Sequence, residues 1–78
     1  MFAKRLRAAR MSRKYTQQFM ASALNLSLNA YQKYEQSERT APYETLVAIA
    51  DILDISIDWL LGRDDYLKSH GVSVDVPL

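Results

Sequence analysis

Apolar residues return every three or four positions through most of this chain, and residues that cap helices stand between the runs. Phe2, Leu6 and Ala9 share one face of a segment whose other positions are Lys4, Arg5, Arg7 and Arg10, which predicts an amphipathic first helix from Phe2 to about Met11. Ser12, Arg13 and Lys14 read as a connector. Thr16 is a good N-cap for a second helix that carries Met20, Ala21 and Leu24 on one stripe and stops at Asn25, a residue that tolerates the left-handed backbone of a helix end. Ser27 caps a third helix running to Gln36, with Tyr31, Tyr34 and Glu35 on one side and Asn29, Gln32, Lys33 and Gln36 on the other. Pro42 suits the first turn of a fourth helix, in which Leu46, Ile49, Ala50 and Leu53 give the clearest periodicity of the chain. Asp54 breaks that pattern. Ser56 then opens a short fifth helix with Ile57, Leu60 and Leu61 on its apolar side, and Gly62 ends it.

The fold expected is therefore all-α, a compact five-helix domain over residues 1–62, with residues 63–78 as a C-terminal tail in which Val72, Val74 and Val76 alternate with polar neighbours. A length of 78 residues matches one small domain, and a hydrophobic fraction of 49% is enough for a core. The absence of cysteine excludes a disulfide scaffold, a thiolate zinc site and a cysteine nucleophile, and it fits a reducing, cytoplasmic setting. No apolar run approaches the roughly 18–20 residues of a membrane span. The lone His70 has no second ligand at coordination spacing, so no metal or cofactor is expected, and no nucleophile–base pair or phosphate loop points to an enzyme.

Charge adds a direction to this picture. The net +1 divides after Thr40 into an N-terminal part at +6 and a C-terminal part at −5. Opposite signs on the two parts are a cue for an anionic partner on the basic side.

The second and third helices are separated by only Asn25 and Leu26, so the third must turn sharply across the second in a helix-turn-helix over about residues 16–36. In that geometry the second helix of the pair lies in the major groove of double-stranded DNA and points its N-terminal side chains at base edges. Amides suit adenine, whose N6 and N7 an asparagine or glutamine bonds together, while lysine suits guanine or a phosphate. Asn29, Gln32 and Lys33 fit such roles.

Leu6-Arg7 with Ala9-Arg10, Thr16-Gln17 with Met20-Ala21, Leu24-Asn25-Leu26-Ser27, Tyr31 through Glu35, Pro42 with Leu46, Ile49-Ala50 and the run ISIDWLLG from Ile55 to Gly62 occur in order. Together they make the chain resemble the phage Cro and repressor (XRE-type) helix-turn-helix family from about Leu6 to Asp64. The resemblance implies a transcriptional regulator, most simply a repressor of bacterial or phage type that binds a palindromic operator as a homodimer. It places Leu28, Asn29, Gln32 and Lys33 at base-reading positions. Gln17 falls where the family holds a phosphate and steadies the first base-reading side chain, and Ser27 where the third helix accepts another phosphate. Arg39 and Thr40 are the loop residues left to approach phosphate, because Glu38 brings a negative charge there. Arg10 and Glu35 match a structural ion pair that ties the first helix to the third. The dimer surface is expected around Asp58, Trp59 and Leu61, extended by the tail, and no small-molecule ligand is expected within the chain.

Several positions depart from the family. Lys14, Asn25, Ser37 and Asp54 stand where it often has glycine, and left-handed backbone there would cost a side chain about 1 kcal/mol each. Leu28 replaces a polar reader and is limited to a thymine methyl or to excluding a wrong base. Phe19 stands where an exposed polar residue is usual, either as a partly buried aromatic or as a partner contact; the latter, with the tail, motivates an alternative role as an antitoxin or adaptor that chiefly binds protein. Tyr31 and Tyr34 read as core rather than as base-stacking residues, and Trp59 as core or dimer packing.

Overall fold

The computed structural model describes residues 2–62, and it contains five helices: α1 (Phe2–Ser12), α2 (Gln17–Ala23), α3 (Leu28–Glu35), α4 (Tyr43–Leu53) and α5 (Ile57–Leu60). The tail from residue 63, with Val72–Val76 and His70, lies outside the described residues. Each boundary has a local cause. The hydroxyls of Thr16, Ser27 and Ser56 accept hydrogen bonds from the amides of Phe19, Ala30 and Trp59, three residues on, as N-caps of α2, α3 and α5. Pro42 sits one position earlier than expected, as the extended N-cap of α4 rather than in its first turn. It has no hydroxyl to cap with, and Glu44 supplies the only acidic group in that first turn. α1 runs through Ser12, one residue beyond the apolar pattern, since a helix end is set by hydrogen bonding rather than by hydrophobicity.

One device ends the first four helices. At each end the amide of the left-handed residue bonds back three residues and the next amide bonds back five, the Schellman arrangement: Lys14 to Met11 and Tyr15 to Arg10, Asn25 to Ser22 and Leu26 to Ala21, Ser37 to Tyr34 and Glu38 to Lys33, Asp54 to Asp51 and Ile55 to Ala50. The left-handed residues have φ of 63°, 58°, 62° and 54° at Lys14, Asn25, Ser37 and Asp54. None is glycine, so the side-chain strain expected from the sequence is present at all four turns.

The core gathers Leu6 and Ala9 of α1, Met20 and Ala21 of α2, Tyr31 and Tyr34 of α3, Ile49 and Leu53 of α4, and Trp59 and Leu60 of α5, with Ile55 from the last turn. α3 packs against both α1 and α2, and α5 against α1 and α4, so α1 bridges the two halves. α3 is thereby held on its tyrosine side. Its opposite side is left for the amides.

Candidate nucleic-acid interface

The turn between α2 and α3 consists of Leu24 to Ser27, and the left-handed Asn25 lets the chain reverse within it. Tyr31 and Tyr34 are buried at 0% and 4% exposure, which places them in the core and leaves no ring for base stacking. Leu28, Asn29, Gln32 and Lys33 lie on the other face, Asn29 exposed and the remaining three half-buried. Asn29 and Lys33 stand one helical turn apart and so project side by side, with Gln32 flanking them.

A continuous polar network fixes α3 from beneath. Arg10 of α1 donates from Nε to Glu35 Oε2 at 2.7 Å and from a terminal nitrogen to Oε1 at 3.2 Å, a two-pronged pair whose side chains are 12% and 3% exposed. The second terminal nitrogen of Arg10 donates to the Tyr15 carbonyl at 2.9 Å, which ties the α1–α2 connector to the same hub. The Tyr31 hydroxyl donates to Glu35 Oε2. Gln17 Nε2 donates to Glu35 Oε1 at 3.2 Å, and Gln32 Nε2 donates to Gln17 Oε1 at 3.1 Å. Burial pulls the Glu35 carboxyl upward, but hydrogen bonds from Arg10, Tyr31 and Gln17 outweigh it and hold the group below the ordinary carboxylate value. Its hydrogen bond to Glu35 raises Arg10, and burial followed by the Glu35 hydrogen bond raises the Tyr31 phenol. The hub is a charged pair with a neutral phenol.

Arg10 and Glu35 thus meet as the resemblance implies. Gln17 differs in detail from what the resemblance implies: Leu28 offers it no polar group, and its oxygen accepts from Gln32 instead. The Tyr31 hydroxyl is a member of the network that apolar patterning misses, because the ring alone explains its place in the core. Ser27 is exposed and its oxygen is occupied in capping α3, while its hydroxyl proton remains a donor. Arg39 and Thr40 are exposed in the α3–α4 connection, as is Glu38.

The basic residues divide into two groups. Arg13 donates from Nε to the Leu53 carbonyl at 2.9 Å and approaches the Asp54 carbonyl at 3.4 Å, capping the C-terminus of α4. Arg5 donates to the Trp59 carbonyl at 2.7 Å and lies 5.0 Å above its ring. These arginines, like Arg10, stitch the fold together, while Lys4, Arg7, Lys14 and Arg39 are exposed. Trp59, expected at a dimer surface, corrects that expectation: it is 3% exposed because its ring fills the core beneath Arg5. Leu61, exposed, and Asp58, half-exposed, are the members of that trio that reach the surface. Phe19 is 46% exposed, covered on one side by Tyr15 at a ring separation of 4.5 Å.

Comparison with known proteins agrees with this geometry. A helix-turn-helix family model matches residues 6–60. The chain belongs to the helix-turn-helix family of transcriptional regulators, of the XRE type. It is 44% identical over 68 residues to an uncharacterized HTH-type transcriptional regulator, YqaE, of Bacillus subtilis, covering 87% of this chain and 59% of the relative. It is 36% identical over 67 residues to the HTH-type transcriptional regulator ImmR of the same organism, covering 86% of this chain and 53% of the relative. With the cryptic phage CTXphi transcriptional repressor RstR of Vibrio cholerae it shares 52% identity over 48 residues, covering 62% of this chain and 43% of the repressor. The chain therefore spans about half the length of these relatives. No solved structure matches it. The family and these relatives are regulators rather than enzymes. Among the described residues no helix is long and apolar enough to cross a membrane, and no group of side chains is placed to hold a metal.

Proposed function

We propose that this helix-turn-helix domain binds double-stranded DNA sequence-specifically and acts as a transcriptional repressor, gripping a palindromic operator as a homodimer in the cytoplasm. The observation that carries this reading is the outer face of α3: Asn29, Gln32 and Lys33 project from a helix whose opposite side is locked by Tyr31, Tyr34 and the Arg10–Glu35 pair. A rigid helix with a polar, amide-bearing outer face has the shape and donor–acceptor set that the major groove reads. The phage repressor and the regulators among the relatives support the regulatory role. Gln17, Ser27, Arg39 and Thr40 are assigned to phosphate contacts around the groove. Two copies joined near Asp58 and Leu61 of α5 would set their α3 helices about 34 Å apart, one turn of DNA. In this reading the bound dimer blocks access of polymerase to a promoter.

The test is selection of bound sequences from a random duplex pool, followed by affinities at several salt concentrations. The expected result is a palindrome with a defined half-site spacing and an affinity that falls steeply with salt as counterions are released. Asn29→Ala and Lys33→Ala should each cost about 1–3 kcal/mol of discrimination at one base pair, where Lys33 reads a base. Equal losses on operator and random duplex for Asn29→Ala would overturn its base-reading role. One observation favours a second reading: Phe19 leaves a large apolar surface exposed on α2, as a protein-binding adaptor or antitoxin would. Weak, salt-insensitive DNA binding would select that reading.

A further inference from the structure

We propose that the outer faces of α1 and α4 are a matched pair of docking surfaces, through which the basic stripe of one copy of this chain seats on the acidic stripe of another.

The two helices have the same plan. Each is 11 residues long, and each turns one side to the core: Ala3, Leu6 and Ala9 in α1, Ile49, Ala50 and Leu53 in α4. On the opposite side Lys4, Arg7, Ala8 and Met11 line α1, and Glu44, Val47, Ala48 and Asp51 line α4 at the same spacing. Lys4 and Met11, like Glu44 and Asp51, stand two turns apart, about 10.5 Å along the axis. The stripes are therefore equal in length and opposite in sign. Neither sign is diluted, since no acidic residue precedes Glu35 and no basic residue lies between Thr40 and Gly62. Lys4, Arg7, Glu44 and Asp51 are exposed, and their side chains make no hydrogen bond or ion pair among the described residues.

The partner follows from the presence of both stripes on one molecule. Each projects away from the shared core, so the two do not meet within a chain. Arg13, which reaches Asp54 at 3.8 Å, joins the ends of the two helices and belongs to neither stripe. Duplex DNA would answer the α1 stripe alone and leave the acidic stripe of α4 without a use. α1 also meets α3 on its core side, which turns its stripe away from the reading helix. A second copy supplies both complements at once. Shape agrees with charge: Ala8 and Ala48, half-buried at the middle of each stripe, let two helices approach to the usual separation of about 8–10 Å. Met11, 55% exposed, adds an apolar anchor between the charges. A net charge of +1 leaves little overall repulsion to oppose the approach. The contact uses neither the outer face of α3 nor Asp58 and Leu61 of α5, so it stands independently of the DNA reading.

Sedimentation of the full chain without DNA is the test. Exposed ion pairs are screened by salt, so the association constant should fall about tenfold between about 0.05 M and about 0.5 M salt. Lys4→Glu with Arg7→Glu makes both stripes acidic, and Glu44→Lys with Asp51→Lys makes both basic. At the lower salt each variant alone should associate at least about tenfold more weakly than wild type, and an equimolar mixture should recover the wild-type constant to within about threefold. Circular dichroism first establishes that each variant is folded. Where a reversal unfolds the chain, the neutral pairs Lys4→Gln with Arg7→Gln and Glu44→Gln with Asp51→Asn take its place, each expected to weaken association about threefold. Salt-independent association of the wild type, a mixture of folded reversals no stronger than its components, or neutral pairs that associate as wild type overturns the contact. So does a Lys4→Glu, Arg7→Glu chain that loses affinity for random duplex yet associates as wild type, because the stripe then serves phosphate.

Discussion

Replacing Arg10 by methionine would keep the stem of the side chain and remove the charge, leaving the Glu35 carboxylate, 3% exposed, without its cation. Glu35 would retain hydrogen bonds from Tyr31 and Gln17, and the Tyr15 carbonyl would lose its donor. Breaking a buried pair from one side typically costs about 3–5 kcal/mol, because the remaining charge stays desolvated. A chain of 78 residues has a total stability of about 4–12 kcal/mol, so this single change removes a large share of it. At about 4–8 °C per kcal/mol for a domain of this size, thermal unfolding should fall by about 12–40 °C. Urea and thermal unfolding followed by circular dichroism measure the loss. The pH dependence identifies its cause. In the wild type the Glu35 value is depressed, so its stabilising contribution is present above the ordinary 4.5 and is lost as pH falls through the lower folded value. In Arg10→Met burial is opposed less and the folded value rises, so the penalty on the variant is relieved as pH falls through that raised value, and the gap to wild type narrows in acid. Adding Glu35→Gln to Arg10→Met should recover more than half of the lost stability at neutral pH, since an amide carries no charge to strand. A loss under about 1 kcal/mol at neutral pH, or a gap that does not change with pH, would refute this account of the hub.

Two further predictions concern stability. Glycine at Lys14 or Ser37 should stabilise the fold by about 0.5–1 kcal/mol, as relief of about 1–2 kcal/mol of left-handed strain exceeds glycine's extra freedom in the unfolded chain. Asn25→Gly should gain less because asparagine tolerates this backbone, and Asp54→Gly less because it gives up an exposed contact to Arg13 at 3.8 Å; chemical denaturation ranks the four. The raised Tyr31 value keeps its phenol protonated in the folded state, so stability should decline as pH rises above the ordinary value of 10.0, and denaturant midpoints for Tyr31→Phe should lose the part of that decline due to this group.

The helices and their caps were open to sequence reasoning because each depends on contacts within a few residues. Thr16, Ser27 and Ser56 bond three positions ahead, and the turns at Lys14, Asn25, Ser37 and Asp54 close over five. The Arg10–Glu35 pair spans 25 residues and became visible only through family resemblance, since neither its spacing nor its charge distinguishes it from other arginine–glutamate pairs in the chain. Long-range uses of charge stayed hidden for the same reason. Arg5 and Arg13 count toward the basic half of the sequence, yet one bonds Trp59 and the other the end of α4, 54 and 40 residues away. Trp59 was ambiguous because an indole at the end of a short amphipathic helix fills a core or a dimer interface equally well, and only the position of α5 against α1 decides for the core. The Gln17–Gln32 link lies furthest from the sequence. It depends on the crossing of α2 and α3, on a leucine at position 28, and on an acceptor beneath, three conditions that no periodicity expresses.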